Sequence, residues 1–306
     1  MRILITGGAG YLGTGVVSLL SQMEEVEEII IYDNLSRGSY NLFMGDPLNQ
    51  RVKIRLIQGD ILDSRKLKKA LKGIDVVYHL AAKVNMPYVN TDGHSFEQIN
   101  HWGTAELVYA IEESDVRKFV YTSSASVYGS SSKKRDENSQ PNPRTIYAIS
   151  KLRGEEQAAR LMDKCDTYIL RCGNIYGYNK SIRYDMVINQ FMFNAHYNRR
   201  ISIHGTGKQQ RAFVNINTIS HVLANLIFSN APSGVYNLFD KNHHVLDIVD
   251  ILKEMYPDLE FIFINQHLNL REICLEDTMS LKQYMDWPRQ RNLREDLLEF
   301  RQHFSF

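Results

Sequence analysis

Two residues in the middle of the chain have the types and the spacing needed for proton transfer at an alcohol or a ketone. Tyr147 and Lys151 are four residues apart, so on a helix both side chains project from the same face. A free phenol, with a pKa of about 10, is a poor base near neutral pH. An ammonium group beside it favours the phenolate and lowers that pKa, which makes the pair a proton-transfer unit. By itself the spacing also fits an ordinary amphipathic helix with an exposed Lys151.

A glycine-rich stretch near the N-terminus has the spacing of a phosphate-binding turn. The apolar run Ile3–Ile5 predicts a strand buried on both faces, and apolar residues recur at helical spacing over Val16–Met23. Between them, Gly7 allows a tight turn, Gly10 lets backbone approach a pyrophosphate, and Gly13 lets the helix pack against the strand. The helix N-terminus then offers N–H groups to the phosphates. The alternative is a turn that binds nothing; its place between a strand and a helix favours a dinucleotide site.

The next strand ends in a carboxylate that bears on the identity of the dinucleotide. The stretch Glu28–Asp33 reads Glu-Ile-Ile-Ile-Tyr-Asp, which predicts a second buried strand with Asp33 at its C-terminal tip. A carboxylate there accepts both hydroxyls of an adenosine ribose and repels a 2′-phosphate, so it favours NAD over NADP. Arg37 complicates this prediction, because NADP enzymes use an arginine to hold the additional phosphate. The alternatives are a turn residue at Asp33 and a surface arginine at Arg37.

Strands and helices alternate along the first half of the chain. Further strands are predicted at 52–56, 76–80 and 119–121, so the sequence predicts an α/β fold of parallel βαβ units with right-handed crossovers. Ligands of such sheets bind beyond the C-terminal ends of the strands. The residues at those ends, which therefore point to one crevice, are Gly7–Gly13, Asp33, Asp60, Ala81–Ala82 and Ser123–Ser124. His79, in the fourth strand, is interpreted as a core residue and not as a catalytic one.

The composition is that of an ordinary folded protein and argues against several kinds of partner. Of the 306 residues, 43% are hydrophobic and 23% charged, and the formal net charge is +1. That charge implies no nucleic-acid partner, and no apolar run is long enough to span a bilayer. Cys165, Cys172 and Cys274 lack metal-ligand or redox-motif spacing, so we expect no metal site and a reducing, cytoplasmic setting. Residues 129–143 are polar, serine-rich and closed by two prolines, which predicts a loop.

Taken together, these residues resemble the extended short-chain dehydrogenase/reductase family, and within it the NAD-dependent sugar-nucleotide epimerases and dehydratases of the UDP-glucose 4-epimerase type. The resemblance runs from Thr6 to at least Asn237. The motifs that carry it are Thr6-Gly7-Gly8-Ala9-Gly10-Tyr11-Leu12-Gly13, Asp33-Asn34-Leu35-Ser36, Gly59-Asp60-Ile61, His79-Leu80-Ala81-Ala82, Ser123-Ser124-Ala125-Ser126-Val127-Tyr128-Gly129 and Tyr147-x-x-x-Lys151. It implies a Rossmann-type doubly wound parallel sheet with a smaller mixed C-terminal substrate-binding region. The implied boundaries are 1–174 plus about 212–238 for the NAD-binding domain, and 175–211 with 239–306 for the nucleotide-sugar-binding region.

The resemblance also implies roles for individual residues. Ser124 would hydrogen-bond the reacting sugar oxygen, Tyr147 would exchange its proton, and Lys151 would bind the nicotinamide ribose and hold Tyr147 acidic. The positions implied to bind NAD are Gly7, Gly10, Tyr11, Leu12, Gly13, Asp33, Asn34, Asp60, Ile61, Leu80, Ala81, Ala82, Lys83, Asn100, Thr122, Tyr147, Lys151 and Cys172. The positions implied to bind a nucleotide-diphosphate sugar are Ser124, Asn174, Arg211 and Arg271. For Arg271 a surface residue is an equal alternative.

The sequence departs from the family pattern in two places near the implied substrate region. Asn215 and Asn217 stand where acidic residues often follow the Phe-Val strand. Cys172 and Gly173 stand where aromatic residues often precede the phosphate-binding asparagine. The second departure leaves the contacts on the nicotinamide side, and the orientation of the sugar, open.

The residues after the catalytic serine bear on the reaction. The family's dehydratases and decarboxylases usually carry a carboxylate there, whereas this chain has Ala125 and Ser126, which disfavours dehydration and decarboxylation. A 4-epimerase would work by transient oxidation to a 4-keto-sugar and return of the hydride. An NAD(P)-dependent 4-ketoreductase or dehydrogenase would use the same triad, but the preference of Asp33 for NAD favours the epimerase. A third possibility is a non-catalytic nucleotide-binding protein, against which the intact triad argues.

The resemblance further implies a homodimer. Two helices of each subunit would form the contact, one beginning near Asn100 and one near Tyr147. Leu107, Ile111 and Leu161 are predicted to lie at this interface. A two-fold axis would bring one self-complementary patch together.

Overall fold

The predicted strands of the first half pair into one parallel sheet. The computed structural model describes residues 1–38, 40–44, 48, 51–84, 93–265, 270, 272–289 and 291–306. In chain order the strands are β1 Arg2–Thr6, β2 Glu28–Asp33, β3 Lys53–Gln58, β4 Val76–His79, β5 Lys118–Ser124, β6 Ser131–Arg135, β7 Asp166–Cys172, β8 Asn174–Tyr176, β9 Arg200–His204, β10 Gln210–Asn215, β11 Gly234–Leu238, β12 Lys241–His244, β13 Glu260–Ile264 and β14 Ile273–Leu275. A seven-stranded sheet of these runs β11-β7-β5-β4-β1-β2-β3, and every pairing in it is parallel. The predicted Rossmann-type α/β fold is thereby confirmed.

Helices cover both faces of this sheet. In chain order they are α1 Tyr11–Leu20, α2 Ser64–Ala70, α3 Gly93–Phe96, α4 Gly103–Glu112, α5 Ile146–Ala159, α6 Val187–Phe193, α7 Ile216–Leu226, α8 Val245–Met255 and α9 Leu293–Arg301, with a π-helical stretch Glu97–Trp102 between α3 and α4. Successive residues of a strand point to opposite faces. Ile3 and Ile5 therefore pack in the core formed with α1 and α7, and Leu4 packs in the core formed with α2, α4 and α5. All three side chains are fully buried, which explains the uninterrupted apolar run.

The strand order reverses next to β1, and this places the ligand crevice. From β1 the chain continues to β2 and β3 on one side, and β4, β5, β7 and β11 lie on the other. The gap beyond the C-terminal ends of β1 and β4 is the switch point at which such sheets bind ligands. His79 at the end of β4 is buried, its two ring nitrogens lie 2.8 and 2.9 Å from the hydroxyls of Thr6 and Thr104, and burial lowers its pKa to about 3. It is a neutral core residue, as interpreted from the sequence.

A smaller mixed sheet and a two-stranded sheet complete the fold. The mixed sheet has the order β12-β10-β14-β6 with β8 beside β10, and β13 pairs with β9. A third core, which includes Ile201 and Ile203, joins β9 to α6, α8 and α9. The loop predicted at 129–143 contains β6, a Ser-Ser-Lys-Lys-Arg strand that pairs with β14 and carries no apolar signal. The division into two domains remains a hypothesis. Within the stretches predicted for the NAD-binding domain, β11 lies in the large sheet, whereas β6 and most of β10 lie in the smaller one.

Neither a membrane-spanning helix nor a metal-binding cluster occurs among the residues that the structure describes. Within these ranges, no helix combines the length and the apolar character that a membrane span requires. Among the same residues, no three His, Cys, Asp or Glu side chains are placed to hold a metal ion.

Candidate active site

The glycine turn after β1 packs so closely that side chains would not fit. Gly7 has a φ of +71°, and a Cβ placed on it would lie 2.6 Å from the backbone nitrogen of Ala81. A Cβ on Gly13 would lie 2.5 Å from the carbonyl oxygen of Gly7. Gly10 precedes α1 without a side-chain cap, so the first N–H groups of the helix remain available to an anion. The turn thus forms a cradle of the shape that a dinucleotide pyrophosphate needs.

A cavity of about 450 Å³, called here the dinucleotide cavity, opens at this turn. Its volume lies in the range of ordinary ligand sites. The predicted cofactor residues that line it are Gly7, Gly10, Tyr11, Leu12, Gly13, Asp33, Asn34, Ile61, Leu80, Ala81, Ala82, Lys83, Thr122, Tyr147, Lys151 and Cys172. They come from the C-terminal ends of β1, β2, β4, β5 and β7, from the segment after β3, and from α1 and α5. The residues present therefore fit a dinucleotide.

Asp33 is held in place by backbone donors at the tip of β2. Its Oδ2 accepts the N–H of Ala9 at 3.0 Å, and its Oδ1 accepts the N–H of Leu35 at 2.8 Å. Both Asp33 and Arg37 line the dinucleotide cavity. Burial lowers the pKa of Arg37, Arg183 adds to that lowering, and Asp33 is among the groups that oppose it. Asp33, which favours NAD, and Arg37, which would favour NADP, therefore lie in the same cavity.

We expect the protein to bind NAD at least about tenfold more tightly than NADP, a difference of ~1.4 kcal/mol. The fixed carboxylate of Asp33 accepts ribose hydroxyls and repels a 2′-phosphate. Isothermal titration of cofactor-stripped protein with both cofactors measures the ratio. Asp33→Asn should reduce the ratio of NAD affinity to NADP affinity. Arg37→Ala, the matched change in the same cavity, should lower only the affinity for NADP. A wild-type preference for NADP would mean that Arg37 dominates and would favour the ketoreductase.

Two predicted cofactor residues do not line the dinucleotide cavity. Asp60 is exposed, and its carboxylate accepts the side-chain amide of Asn34 at 3.1 Å and the N–H of Leu62 at 3.0 Å. Asn100 is buried, and its amide group forms two hydrogen bonds with the backbone of Lys83, at 2.8 and 2.9 Å, and one with Ser150 at 3.0 Å. Asp60 and Asn100 therefore support neighbouring parts of the cavity wall.

Three elements bring the proposed catalytic residues together. Ser124 ends β5, and Tyr147 and Lys151 lie on successive turns of α5. Ser124 lies beside Tyr147 and opposes the rise of its pKa. The hydroxyl of Ser126 lies 2.9 Å from that of Ser124 and orients it. Lys151 is buried, with its Nζ 4.4 Å from the centre of the Tyr121 ring. The triad is thus assembled at the edge of the sheet, where α5 meets β5.

Burial dominates the protonation of this triad. It raises the pKa of Tyr147, and the influences that oppose the rise come from Ser124 and Arg183. Burial lowers the pKa of Lys151 to about 8, opposed by Cys172 and Glu155. The resemblance implies that Lys151 lowers the pKa of Tyr147. In the structure the pKa of Tyr147 is raised instead, because desolvation disfavours the charged forms of both Tyr147 and Lys151. The hydroxyl of Ser124 supplies the donor that favours the phenolate.

A buried ion pair lies beneath the triad. The Nη2 of Arg171 on β7 is 2.7 Å from the Oε2 of Glu155 on α5, and their side chains are only 7% and 6% exposed. Ser123 donates its hydroxyl to Glu155 at 2.5 Å, and Arg171 also donates to the Tyr128 hydroxyl at 3.1 Å. Glu155 is one turn beyond Lys151. The pair therefore joins α5 to β5 and β7 directly behind the reacting groups.

A second cavity of about 470 Å³, called here the sugar-side cavity, adjoins the first. Ser124, Asn174 and Arg211, three of the residues predicted to bind the nucleotide sugar, line it. Asn174 begins β8 and donates its side-chain amide to the carbonyl of Ala212 on the neighbouring β10 at 3.0 Å. Arg271 lies outside the described residues. The sugar-side cavity shares Tyr147 and Cys172 with the dinucleotide cavity, so a ligand in each would meet at the triad.

Arg183 lines both cavities, and the sequence analysis missed it. Its Nε lies 3.0 Å from the Oδ1 of Asp185. Arg183 lies in the irregular segment between β8 and α6, so neither periodicity nor a motif indicated a role for it. The sequence signal was an arginine and an aspartate two residues apart. His204 and Gln209 also line the sugar-side cavity without having been predicted.

The fold and the site together define a class of protein: an enzyme that binds a dinucleotide at the switch point of a Rossmann-type sheet, with a Ser-Tyr-Lys triad beside it. Residues 3–238 match the model of the NAD dependent epimerase/dehydratase family. The chain belongs to this family of extended short-chain dehydrogenase/reductase enzymes. The family is NAD-dependent, which confirms the predicted cofactor.

Similar proteins include both dehydratases and epimerases. The chain is 31% identical over 261 residues to a dTDP-D-glucose 4,6-dehydratase of Mus musculus, covering 83% of this chain and 72% of that one. It is 32% identical over 259 residues to a putative UDP-glucose 4-epimerase of Methanocaldococcus jannaschii, covering 82% and 81%. A crystal structure of UDP-glucuronic acid 4-epimerase from Bacillus cereus in complex with NAD is similar with a TM-score of 0.82 and 26% identity, covering 97% and 96%. The family is therefore established, and the reaction is a matter for proposal.

Proposed function

We propose that the protein is an NAD-dependent nucleotide-sugar 4-epimerase. The observation that carries the proposal is the meeting of the dinucleotide and sugar-side cavities at Tyr147, with Ser124 beside it in the sugar-side cavity. A sugar carbon held there would lie between the catalytic hydroxyls and the cofactor. Positioning of this kind is the main requirement for reversible oxidation of an alcohol.

The triad would act on the sugar 4-hydroxyl. Ser124 would hold the reacting oxygen, with its own hydroxyl oriented by Ser126. Tyr147 would accept the hydroxyl proton as the alcohol becomes a ketone and return it when the alcohol re-forms. The ammonium of Lys151 would stabilise the phenolate that accepts this proton. NAD, when bound, supplies the acceptor and donor of hydride at the reacting carbon.

The residues after Ser124 favour epimerisation over dehydration. Elimination of water needs a general acid at the leaving hydroxyl, and Ala125 and Ser126 provide no carboxyl group. Asp185 lines the sugar-side cavity, but its carboxylate accepts a hydrogen bond from the guanidinium of Arg183 and is therefore engaged within the protein.

We expect the purified protein to carry NAD and to interconvert two sugar epimers with no net change in NADH. An epimerase returns the hydride to the sugar it came from, so the cofactor stays through the cycle, and many contacts in one cavity favour slow release. The substrates to test are UDP-glucose, dTDP-glucose and UDP-glucuronic acid, with NMR of the products and absorbance at the NADH band. Stoichiometric consumption of NADH or NADPH with a keto-sugar would show a ketoreductase. Formation of a 6-deoxy-4-keto product would show a dehydratase.

We further propose a homodimer formed by the helices around α4 and α5. The predicted interface residues Leu107, Ile111 and Leu161 are fully buried in the core of the subunit, so their assignment to the interface was wrong. The exposed apolar residues on these helices are instead Trp102, Tyr109, Ile146 and Ile149. A two-fold contact would cover such a patch.

Light scattering at micromolar concentration should give the mass of a dimer. Trp102→Glu places a charge in the proposed contact and should produce a monomer, because an unpaired buried charge is unfavourable. Phe228→Glu changes a residue that is also exposed, at 38%, but lies beyond α7, and it should leave the dimer intact. A wild-type monomer, or equal effects of both substitutions, would contradict the proposed interface.

A further inference from the structure

A third cavity, of about 900 Å³, has no part in the proposed reaction. We call it the C-terminal cavity; it lies between α1, the segment Tyr178–Lys180 and the starts of α7 and α9, and Asp240, Arg289 and Arg291 also line it. α1 therefore contributes its first turn to the dinucleotide cavity and its later turns to this one. The volume is within the range of sites for metabolite-sized ligands.

A buried hydroxyl on the wall of this cavity lacks a partner in the protein. Ser220 on α7 is 3% exposed, and its Oγ forms no hydrogen bond with any described residue. The Oγ faces α1, since a Cβ placed on Gly15 would lie 2.4 Å from it. Leaving a buried hydroxyl without a hydrogen bond is unfavourable, because the group has lost its bonds to water. A ligand that reaches Ser220 would remove that penalty.

Two carboxylates form the buried end of the cavity. Asp296 is 9% exposed and accepts the Tyr176 hydroxyl at 2.5 Å. The Oδ2 of Asp240 accepts the N–H of Asn215 at 2.7 Å, whereas its Oδ1 is buried and has no hydrogen-bond partner in the described chain. Burial raises the pKa of Asp240 to about 6; Asp296 adds to the rise, and Asn215 and Thr218 oppose it. The buried end thus presents an acceptor that suits a neutral hydroxyl donor.

Cationic side chains outnumber carboxylates at the open end of the cavity. Lys180, Arg289 and Arg291 line it and are exposed, as is the carboxylate Glu295, and Arg291 is also paired with Glu299. The ring of Tyr178 forms part of the wall and stacks on His303, with 3.8 Å between ring centres and 9° between planes. Hydroxyl acceptors inside, an aromatic ring on the wall and cations at the mouth are the features that a hydroxylated anion would need.

We propose that the C-terminal cavity is a second ligand site and that it takes a sugar phosphate. The sugar hydroxyls would bind Ser220 and Asp240, the sugar ring would lie on Tyr178, and the phosphate would bind Lys180 and Arg289. A guanidinium matches the oxygens of a phosphate with parallel hydrogen bonds, and an ammonium serves as a point charge. The shared chemistry has two possible sources, a free hexose phosphate or the sugar-phosphate part of a nucleotide sugar.

Isothermal titration with glucose 1-phosphate tests the proposal. We expect saturable binding of glucose 1-phosphate to one site per chain. Inorganic phosphate and glucose should bind more weakly, because the first keeps only the contacts of the phosphate and the second only those of the sugar. Ser220→Ala and Asp240→Asn should each weaken glucose 1-phosphate binding about tenfold, the effect of one lost hydrogen bond in a buried site. Arg211→Ala, the matched change in the sugar-side cavity, should leave it unchanged. The proposal would be overturned if Arg211→Ala lost glucose 1-phosphate binding, or if Ser220→Ala and Asp240→Asn both bound it with wild-type affinity.

Two further measurements separate the sources and exclude misfolding. UDP-glucose should titrate two sites if the cavity accepts nucleotide sugars and one if it accepts only the free hexose phosphate; both results agree with the glucose 1-phosphate titration. Ser220→Ala should not lower the melting temperature of the ligand-free protein, because the hydroxyl has no partner to lose. A marked fall would show that Ser220 is bonded within the protein, and the basis of the proposal would be lost.

Discussion

Replacing Tyr147 with phenylalanine is expected to lower kcat by about 10²–10⁴-fold, the contribution of a positioned general acid–base. The substitution keeps the buried ring and removes the hydroxyl that we propose exchanges a proton with the sugar. Ser124 remains oriented by Ser126, and the residues of the glycine turn are unchanged. NAD affinity should therefore stay within a few-fold of wild type, and the loss should fall on kcat and kcat/KM together.

The measurement is steady-state turnover of the nucleotide sugar found in the substrate panel, together with titration of NAD into stripped protein. Tyr284→Phe is the control, because Tyr284 is 37% exposed and lines neither of the two cavities at the triad; it should have no effect. Turnover of the Tyr147 variant within a few-fold of wild type would refute the catalytic assignment. Loss of NAD binding would instead show that the hydroxyl serves the cofactor.

Glu155→Gln is expected to destabilise the protein by about 3–5 kcal/mol, the usual effect of removing one partner from a buried ion pair. Arg171 is 7% exposed, so its charge would remain buried beside a neutral amide. The hydrogen bond from Ser123, next to Ser124, would weaken as well. We therefore expect a loss of activity that follows the displacement of α5 and β5, in addition to the loss of stability.

Urea unfolding followed by circular dichroism measures this free energy. Glu113→Gln is the matched control, because its pair with Lys68 has side chains that are 64% and 48% exposed, and such pairs contribute at most about 1 kcal/mol. The double substitution Glu155→Met with Arg171→Met should recover much of the stability, since it leaves no buried charge. Equal effects of Glu155→Gln and Glu113→Gln would mean that the pair is unimportant for stability.

Local patterns in the sequence were sufficient to predict the large sheet and the candidate site residues that follow its strands. Buried parallel strands are apolar on both faces, so β1 and β2 could be predicted from runs such as Ile3–Ile5. Because all strands of the sheet run in one direction, the residues that follow them, including Asp33 and Ser124, had to lie on one edge. The four-residue spacing of Tyr147 and Lys151 placed both on one face of α5 for the same local reason.

Contacts between distant segments decided the rest. Periodicity shows that Leu107, Ile111 and Leu161 share an apolar face, but whether that face meets the core or a partner depends on what packs against it, and the core covers it. β6 is polar and pairs with β14, about 140 residues away along the chain, so its strand conformation comes from its neighbour and not from its own residues.

The surroundings of the triad were also decided by the tertiary structure. The sequence by itself determined the residue types and their order along the sheet edge, because backbone geometry and side-chain period are local properties. Only folding brought Arg183 beside Tyr147 and placed Glu155 against Arg171. The protonation of Tyr147 and Lys151 then followed from burial, which depends on every segment that covers them.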